Sequence, residues 1–226
     1  MKRTVCVALY LWLIAAVLIC SFTLVDAGIR GSKHDFSGSN WANGQICLPC
    51  HAPHTGSKVA NIPLWNHEIS TATYTLYSSP TLDAVPGQPA GISKLCLSCH
   101  DGTVAIDSFG GHKGSQSGSH SGHKTGGRIG TEFITGSKLS GTDLSDDHPI
   151  SFIYDTALAQ ADGGLYDPTV QLSGVPGNSG TISQDMLFSG SIECASCHDV
   201  HNTNNQGKLM VKCNQGSRLC LTCHNK

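Results

Sequence analysis

The chain has 226 residues, with 11 cysteines, 12 histidines and 26 glycines, and only 13% of it is charged. A formal net charge of −2, with no block of Lys or Arg, leaves no electrostatic footprint for nucleic acid. The length suits one domain plus a targeting segment, yet beyond the first 27 positions Leu, Ile, Val and Phe are too sparse for an ordinary core. Either part of the chain is disordered, or something other than side chains fills its middle.

In chain order, Lys2 and Arg3 precede an apolar run from Val5 to Ile19, which continues weakly to Val25. Val25-Asp26-Ala27 then gives a small-residue cleavage pattern before Gly28. Residues 1–27 read as a secretory signal peptide, with one domain at 28–226. The alternative is an uncleaved anchor, because the run approaches spanning length. A lipoprotein reading of Cys20 is disfavoured by Ile19, which is the wrong size before a lipidated cysteine. Cleavage removes Cys6 and Cys20 and leaves nine cysteines and no membrane span. Export through a periplasm puts the chain outside the cell or at its surface, where thiols oxidise unless something claims them.

Eight of the nine remaining cysteines form four C-x-x-C pairs, each followed at once by histidine. They are Cys47-Leu-Pro-Cys50-His51, Cys96-Leu-Ser-Cys99-His100, Cys194-Ala-Ser-Cys197-His198 and Cys220-Leu-Thr-Cys223-His224. This is the pattern of covalent c-type haem attachment. The two thiols add across the haem vinyl groups, and the adjacent imidazole becomes the proximal iron ligand. Zinc knuckles and disulfide scaffolds use paired cysteines without needing a histidine after every pair. Four haems c are expected, and their apolar macrocycles answer the missing core. The expected fold is mostly coil, with short α-helices at the attachment motifs and few short strands, wrapped around a stack of four haems.

The motifs are of two types. The first and third read C-H-x-x-H, with His51-Ala-Pro-His54 and His198-Asp-Val-His201. The second and fourth share the frames Lys94-Leu-Cys-Leu-Ser-Cys-His-Asp101 and Arg218-Leu-Cys-Leu-Thr-Cys-His-Asn225. The chain therefore divides into two haem couples, 47–100 and 194–224, separated by a segment that contains a Gly/Ser-rich loop at 110–130. Two imidazoles three residues apart on one turn can face two adjacent irons.

Distal ligands come from the remaining histidines. His54 and His201 are favoured by their spacing. His34 is polar in context and close to the first motif. His148 lies in Asp146-Asp-His-Pro-Ile-Ser-Phe152, where Pro149 biases it toward extended backbone. Asp146 or Asp147 is expected to orient its ring, and Ile-Ser-Phe alternates like a strand against a haem face. His67, beside Trp65, is the main competitor, with a loop histidine as its plainer reading. His112, His120 and His123 fall in the low-complexity loop and read as exposed. Met186 and Met210 are the axial sulfur candidates, disfavoured because histidine is plentiful. Cys213 is left over and expected to be a buried free thiol, with an intermolecular link as the alternative.

Ser32-Lys-His-Asp, Cys50-His-Ala-Pro-His54 with Pro63-Leu-Trp-Asn66, Leu95-Cys-Leu-Ser-Cys-His-Asp-Gly-Thr103 and Asp147-His-Pro-Ile-Ser-Phe152 together resemble the multihaem cytochromes with doubled C-x-x-C-H motifs. Among these, the chain is most similar to the filament-forming tetrahaem cytochromes of metal-reducing bacteria. The resemblance implies bis-histidine ligation, a continuous haem stack and extracellular electron transport through a head-to-tail homopolymer, with other redox proteins or extracellular acceptors as partners. It also implies an iron closed by the neighbouring subunit, for which His54 facing the haem on Cys220 and Cys223 is the expected case and the haem on Cys96 and Cys99 the intrachain alternative. No catalytic arrangement stands out, and the chain is expected not to be an enzyme. A monomeric periplasmic shuttle and a multihaem reductase are the competing functions.

Overall fold

The computed structural model describes residues 28–52, 57–59, 62–110, 131–136 and 139–225. The segment 1–27 expected to be a signal peptide, His54 and the histidines of the Gly/Ser-rich loop lie outside the described residues. Most of the described backbone is coil, and its regular elements are short. Strands β1 (Ser57–Val59) and β2 (Ile62–Trp65) pair antiparallel, with Trp65 opposite Ser57. Among the described residues, helix α1 (Gly91–His100) is the longest element at 10 residues, and it carries the whole second motif at its C-terminal end.

The second half is better ordered by local rules. Strand β3 (Phe152–Ile153) pairs antiparallel with β4 (Ser191–Ile192), Phe152 opposite Ile192. Helix α2 (Thr156–Asp162) starts where the Asp155 side chain accepts from the Leu158 amide, satisfying a first-turn donor that the helix cannot satisfy itself. It ends at Gly163 with φ 67°, the left-handed conformation that glycine adopts without a Cβ clash. Helix α3 (Ile182–Asp185) opens on a reciprocal cap between Thr181 and Gln184. Two single-turn helices, α4 (Cys194–Cys197) and α5 (Cys220–Cys223), coincide with the third and fourth cysteine pairs.

Among the described residues, the buried apolar side chains form three small clusters instead of one core. The largest gathers Phe152, Tyr154, Ala159, Val175, Ile182, Met186, Ile192 and Leu219, with Cys197 and Cys223 packed against it. A second holds Trp41, Ala42 and Phe109, and a third Tyr74, Leu97 and Leu144. Phe152 lies on β3 and is buried in this cluster. Met186 is only 2% exposed within that cluster, so its sulfur is used for packing. Clusters this small bury little apolar area per residue, which leaves room for a non-protein contribution. Among the described residues, no helix is long and apolar enough to cross a membrane.

Candidate functional site

Each C-x-x-C-H motif is one tight turn. The His51 amide donates to the Cys47 carbonyl at 2.8 Å, the His198 amide to Cys194 at 3.0 Å and the His224 amide to Cys220 at 2.9 Å. Residues i and i+3 of such a turn lie on the same side, so both sulfurs of a pair face one way. The backbone leaves the turn extended at His198 and His224. Isolated antiparallel bridges then hold three of the four motif histidines in place: His51 with Trp65, His198 with Met210 and His224 with Leu165. The first motif differs from the others in being a turn without a helix, and Pro49 occupies one of its two intervening positions.

The motifs are close to one another. The Cys194 amide donates to Ser93 Oγ at 2.9 Å, which joins α4 to α1. The Cys96 thiol hydrogen-bonds Cys194, and that contact together with burial pushes Cys96 up. Burial and the neighbouring Cys50 push the Cys99 thiol up to about 12, while burial and Cys47 take Cys50 to about 11. In the second half, burial with Cys220 and Cys194 nearby takes Cys197 to about 11. Burial, with Cys197 first among its neighbours, takes Cys223 to about 12. The first attachment site therefore neighbours the second, the second the third, and the third the fourth.

Three motif histidines each face a second imidazole. His34 lies 6.1 Å from His100 between ring centroids, His201 lies 6.2 Å from His51, and His148 lies 6.3 Å from His224. First-row metal–imidazole bonds are about 2.0–2.1 Å. With each ring centroid about 1.1 Å behind its nitrogen, two imidazoles on one metal stand roughly 6.3 Å apart. The three spacings fit a single iron between each pair.

The surroundings of the paired rings suit ligands. His34 Nδ1 is buried without a hydrogen-bond partner, an expensive state for a polar atom unless a metal is to take it. Burial first, then His100, His198 and His201, lower the His34 pKa to about 4, which keeps the ring in the neutral, ligating form. His148 Nδ1 sits 2.8 Å from the Pro149 carbonyl. Donation there fixes the tautomer and leaves Nε2 for a metal. The orienting group is thus the Pro149 carbonyl, where the sequence suggested Asp146 or Asp147. His198 Nδ1 faces the Lys208 carbonyl at 3.3 Å, and His201 Nδ1 lies 3.9 Å from Asp199.

His67 is placed differently. It is buried, with Nδ1 2.7 Å from the Glu68 carbonyl and Nε2 3.0 Å from the Ala105 carbonyl and 3.4 Å from Cys99 Sγ. Its nitrogens are engaged with backbone beside the second attachment pair. Cys213 is exposed, which corrects the expectation of a buried thiol. The ring nearest that of His224 across this contact belongs to His148, and the expectation that His54 serves the fourth motif of a neighbouring subunit falls outside the described residues. Sequence reading also missed the carboxylate beside His100. Asp101 Oδ2 accepts from Ser70 Oγ at 2.5 Å and from Tyr74 Oη at 2.6 Å, and Oδ1 accepts from the Thr103 amide at 2.7 Å. Burial alone would raise this carboxyl, but these bonds outweigh it and hold it below its ordinary value. Its position directly after His100 was the only signal.

Residues 188–226, which carry the third and fourth motifs, match the family described as "Doubled CXXCH motif". The match covers that stretch alone and is consistent with a multihaem c-type cytochrome. The curated proteins returned no match to the chain. C-x-x-C-H sequences indicate covalently bound c-type haem and suggest electron transfer, and their cysteines are the residues that would hold the group.

Proposed function

We propose that the chain is an exported tetrahaem cytochrome that carries electrons over long range outside the cell, as a subunit of a polymeric haem wire. The observation that carries the haem chemistry is the pairing of His51 with His201, His100 with His34 and His224 with His148 at iron-spanning distances. When bound, the four haems supply one-electron Fe(III)/Fe(II) couples. Cys47 and Cys50, Cys96 and Cys99, Cys194 and Cys197, and Cys220 and Cys223 hold them. His51, His100, His198 and His224 ligate from one side, and two imidazoles on an iron favour a low potential.

The two couples suggest the remaining ligand. His34 precedes the first couple and serves its second motif, and His148 precedes the second couple and serves the fourth motif. His201, from the C-H-x-x-H of the third motif, serves the first. By the same rule His54, from the C-H-x-x-H of the first motif, serves His198. The halves then exchange ligands, and because the first attachment site neighbours the second, the second the third and the third the fourth, the haems follow chain order with the first and fourth at the ends. A linear order with two ends suits head-to-tail assembly, in which a heterologous contact that does not close builds a filament. Irons with both axial positions filled favour a carrier over a reductase.

Purified protein is expected to carry four haems by mass, to start at Gly28, and to be low-spin throughout without binding carbon monoxide at neutral pH. Rapid carbon monoxide binding by one haem per chain would sink the carrier reading. Electron microscopy of secreted material separates the wire from a monomeric shuttle: single particles with four low-spin haems would remove the polymer and leave the cytochrome.

A further inference from the structure

A cavity of about 470 Å³ opens behind the fourth attachment turn, between Leu172, Lys212, Arg218, Leu221 and Thr222. Leu221 and Thr222 are the two residues between Cys220 and Cys223. At 100° per residue they point away from the side that bears the sulfurs, so the cavity backs the attachment turn and is separate from the haem face. Lys212 reaches into the wall between the two. Its Nζ donates to the Ser173 carbonyl at 2.6 Å and to Thr222 Oγ1 at 2.9 Å. An ammonium has three donors, which leaves one for a ligand. Gly174 makes this placement feasible, because a Cβ there would meet Lys212 Nζ at 2.9 Å.

The charge is what the cavity adds. Burial and, among its neighbours, the Arg218 guanidinium lower the Lys212 pKa, so two cations stand close enough to repel. Among the described residues, no Asp or Glu lines the cavity, although the chain as a whole has a formal charge of −2. Gln171 and Gln206 add neutral donors.

We propose that this cavity is an anion site that holds a small polyanionic one-electron acceptor against the fourth attachment turn. The acceptor role rests on the electron-transfer reading above; the anion site does not. One electron leaves a ferrous haem, which becomes ferric, and reduces the acceptor by one. No bond forms or breaks, and no proton moves.

The probes are two complex ions of one shape and charge. Hexacyanocobaltate(III) does not accept an electron under these conditions, and hexacyanoferrate(III) does. With the haem-loaded protein at low ionic strength, calorimetric titration of hexacyanocobaltate(III) is expected to give one site per chain. Arg218→Gln, at an exposed position, is expected to weaken it about five- to tenfold, because one of two close charges is lost. Lys212→Met is expected to do at least as much. Hexacyanocobaltate(III) and Arg218→Gln should each slow oxidation of the reduced protein by hexacyanoferrate(III), and neither should slow oxidation by the trication hexaammineruthenium(III). Absence of a saturable site, or binding unchanged by Arg218→Gln, overturns the anion site. Binding with unslowed oxidation overturns the acceptor role alone. Loss of low-spin haem in the unsubstituted protein would instead fault the cytochrome reading.

Discussion

The rings of His201 and His51 lie within 17° of parallel, with 6.2 Å between centroids, although His51 closes the first cysteine pair and His201 trails the third. A shared iron would therefore tie the two halves of the chain together. His201→Ala is expected to turn one haem high-spin while the haem count by mass stays unchanged, because the thioethers do not use the distal ligand. His67→Ala is expected to keep every haem low-spin, since its nitrogens face the Glu68 and Ala105 carbonyls. Paramagnetic resonance on both variants makes the comparison. If they give the same spectrum, the pairing of His201 with His51 does not reflect ligation.

A second prediction concerns Cys213, which is exposed and outside every C-x-x-C-H motif. With all four pairs tied up as thioethers, the haem-loaded chain cleaved before Gly28 should take one iodoacetamide adduct, on Cys213. Each motif that lacks a haem would add reactive thiols, so peptide mapping counts the attachment sites independently of spectroscopy. Burial takes Cys99 and Cys223 to about 12. Thiols held that firmly in the protonated form are poor nucleophiles, so attachment is expected on the unfolded chain, before these clusters close.

Much of the site was legible because haem attachment is a local pattern. Three residues of a five-residue turn state the chemistry, and the turn itself needs only its own backbone bonds. The distal candidates His34, His148 and His201 were nominated from spacing and context, but which motif each one faces depends on long-range packing that no local pattern encodes. The buried bonds from Ser70 and Tyr74 to Asp101 were invisible for the same reason: their members are far apart in sequence. The coil-rich architecture followed from the thin apolar content, whereas the division into three clusters did not. Cys213 was misjudged because an unpaired cysteine is usually buried, whereas it is exposed here.

The largest cluster gives a stability test that leaves haem chemistry alone. Ile182 has no exposed surface and packs with Met186, Ile192 and Leu219. Ile182→Ala is expected to cost about 2–5 kcal/mol, the transfer term plus the cavity it leaves. Urea unfolding followed by near-ultraviolet dichroism would measure this, and the low-spin spectrum below the transition should not change. A cost near zero would mean that the haems, and not this cluster, hold the second half together.

The last prediction is a pH dependence at Tyr154. Its hydroxyl donates to the Tyr166 carbonyl at 2.5 Å, and the Tyr166 amide in turn donates to the Cys223 carbonyl at 2.8 Å. The phenol therefore braces the segment that carries the fourth attachment pair. Burial first, and then the charges of Cys223, Asp167 and Asp162, raise its pKa well above the ordinary value. In the haem-loaded chain Cys223 is a thioether without charge, and burial and the two carboxylates still act in the same direction. Because the folded pKa is raised above the unfolded value of about 10, the neutral phenol's contribution is fully present below about pH 10 and is lost as pH climbs toward the folded pKa. Tyr154→Phe removes the bond and the titration together. At neutral pH the variant is expected to be about 1–2 kcal/mol less stable. As pH rises beyond about 10, the wild-type chain should lose this stability and the variant should not, so the gap between them narrows. Urea midpoints at neutral pH and at several alkaline values test it, and a gap that stays constant into the alkaline range would show that the Tyr154 hydroxyl is not held neutral by the fold.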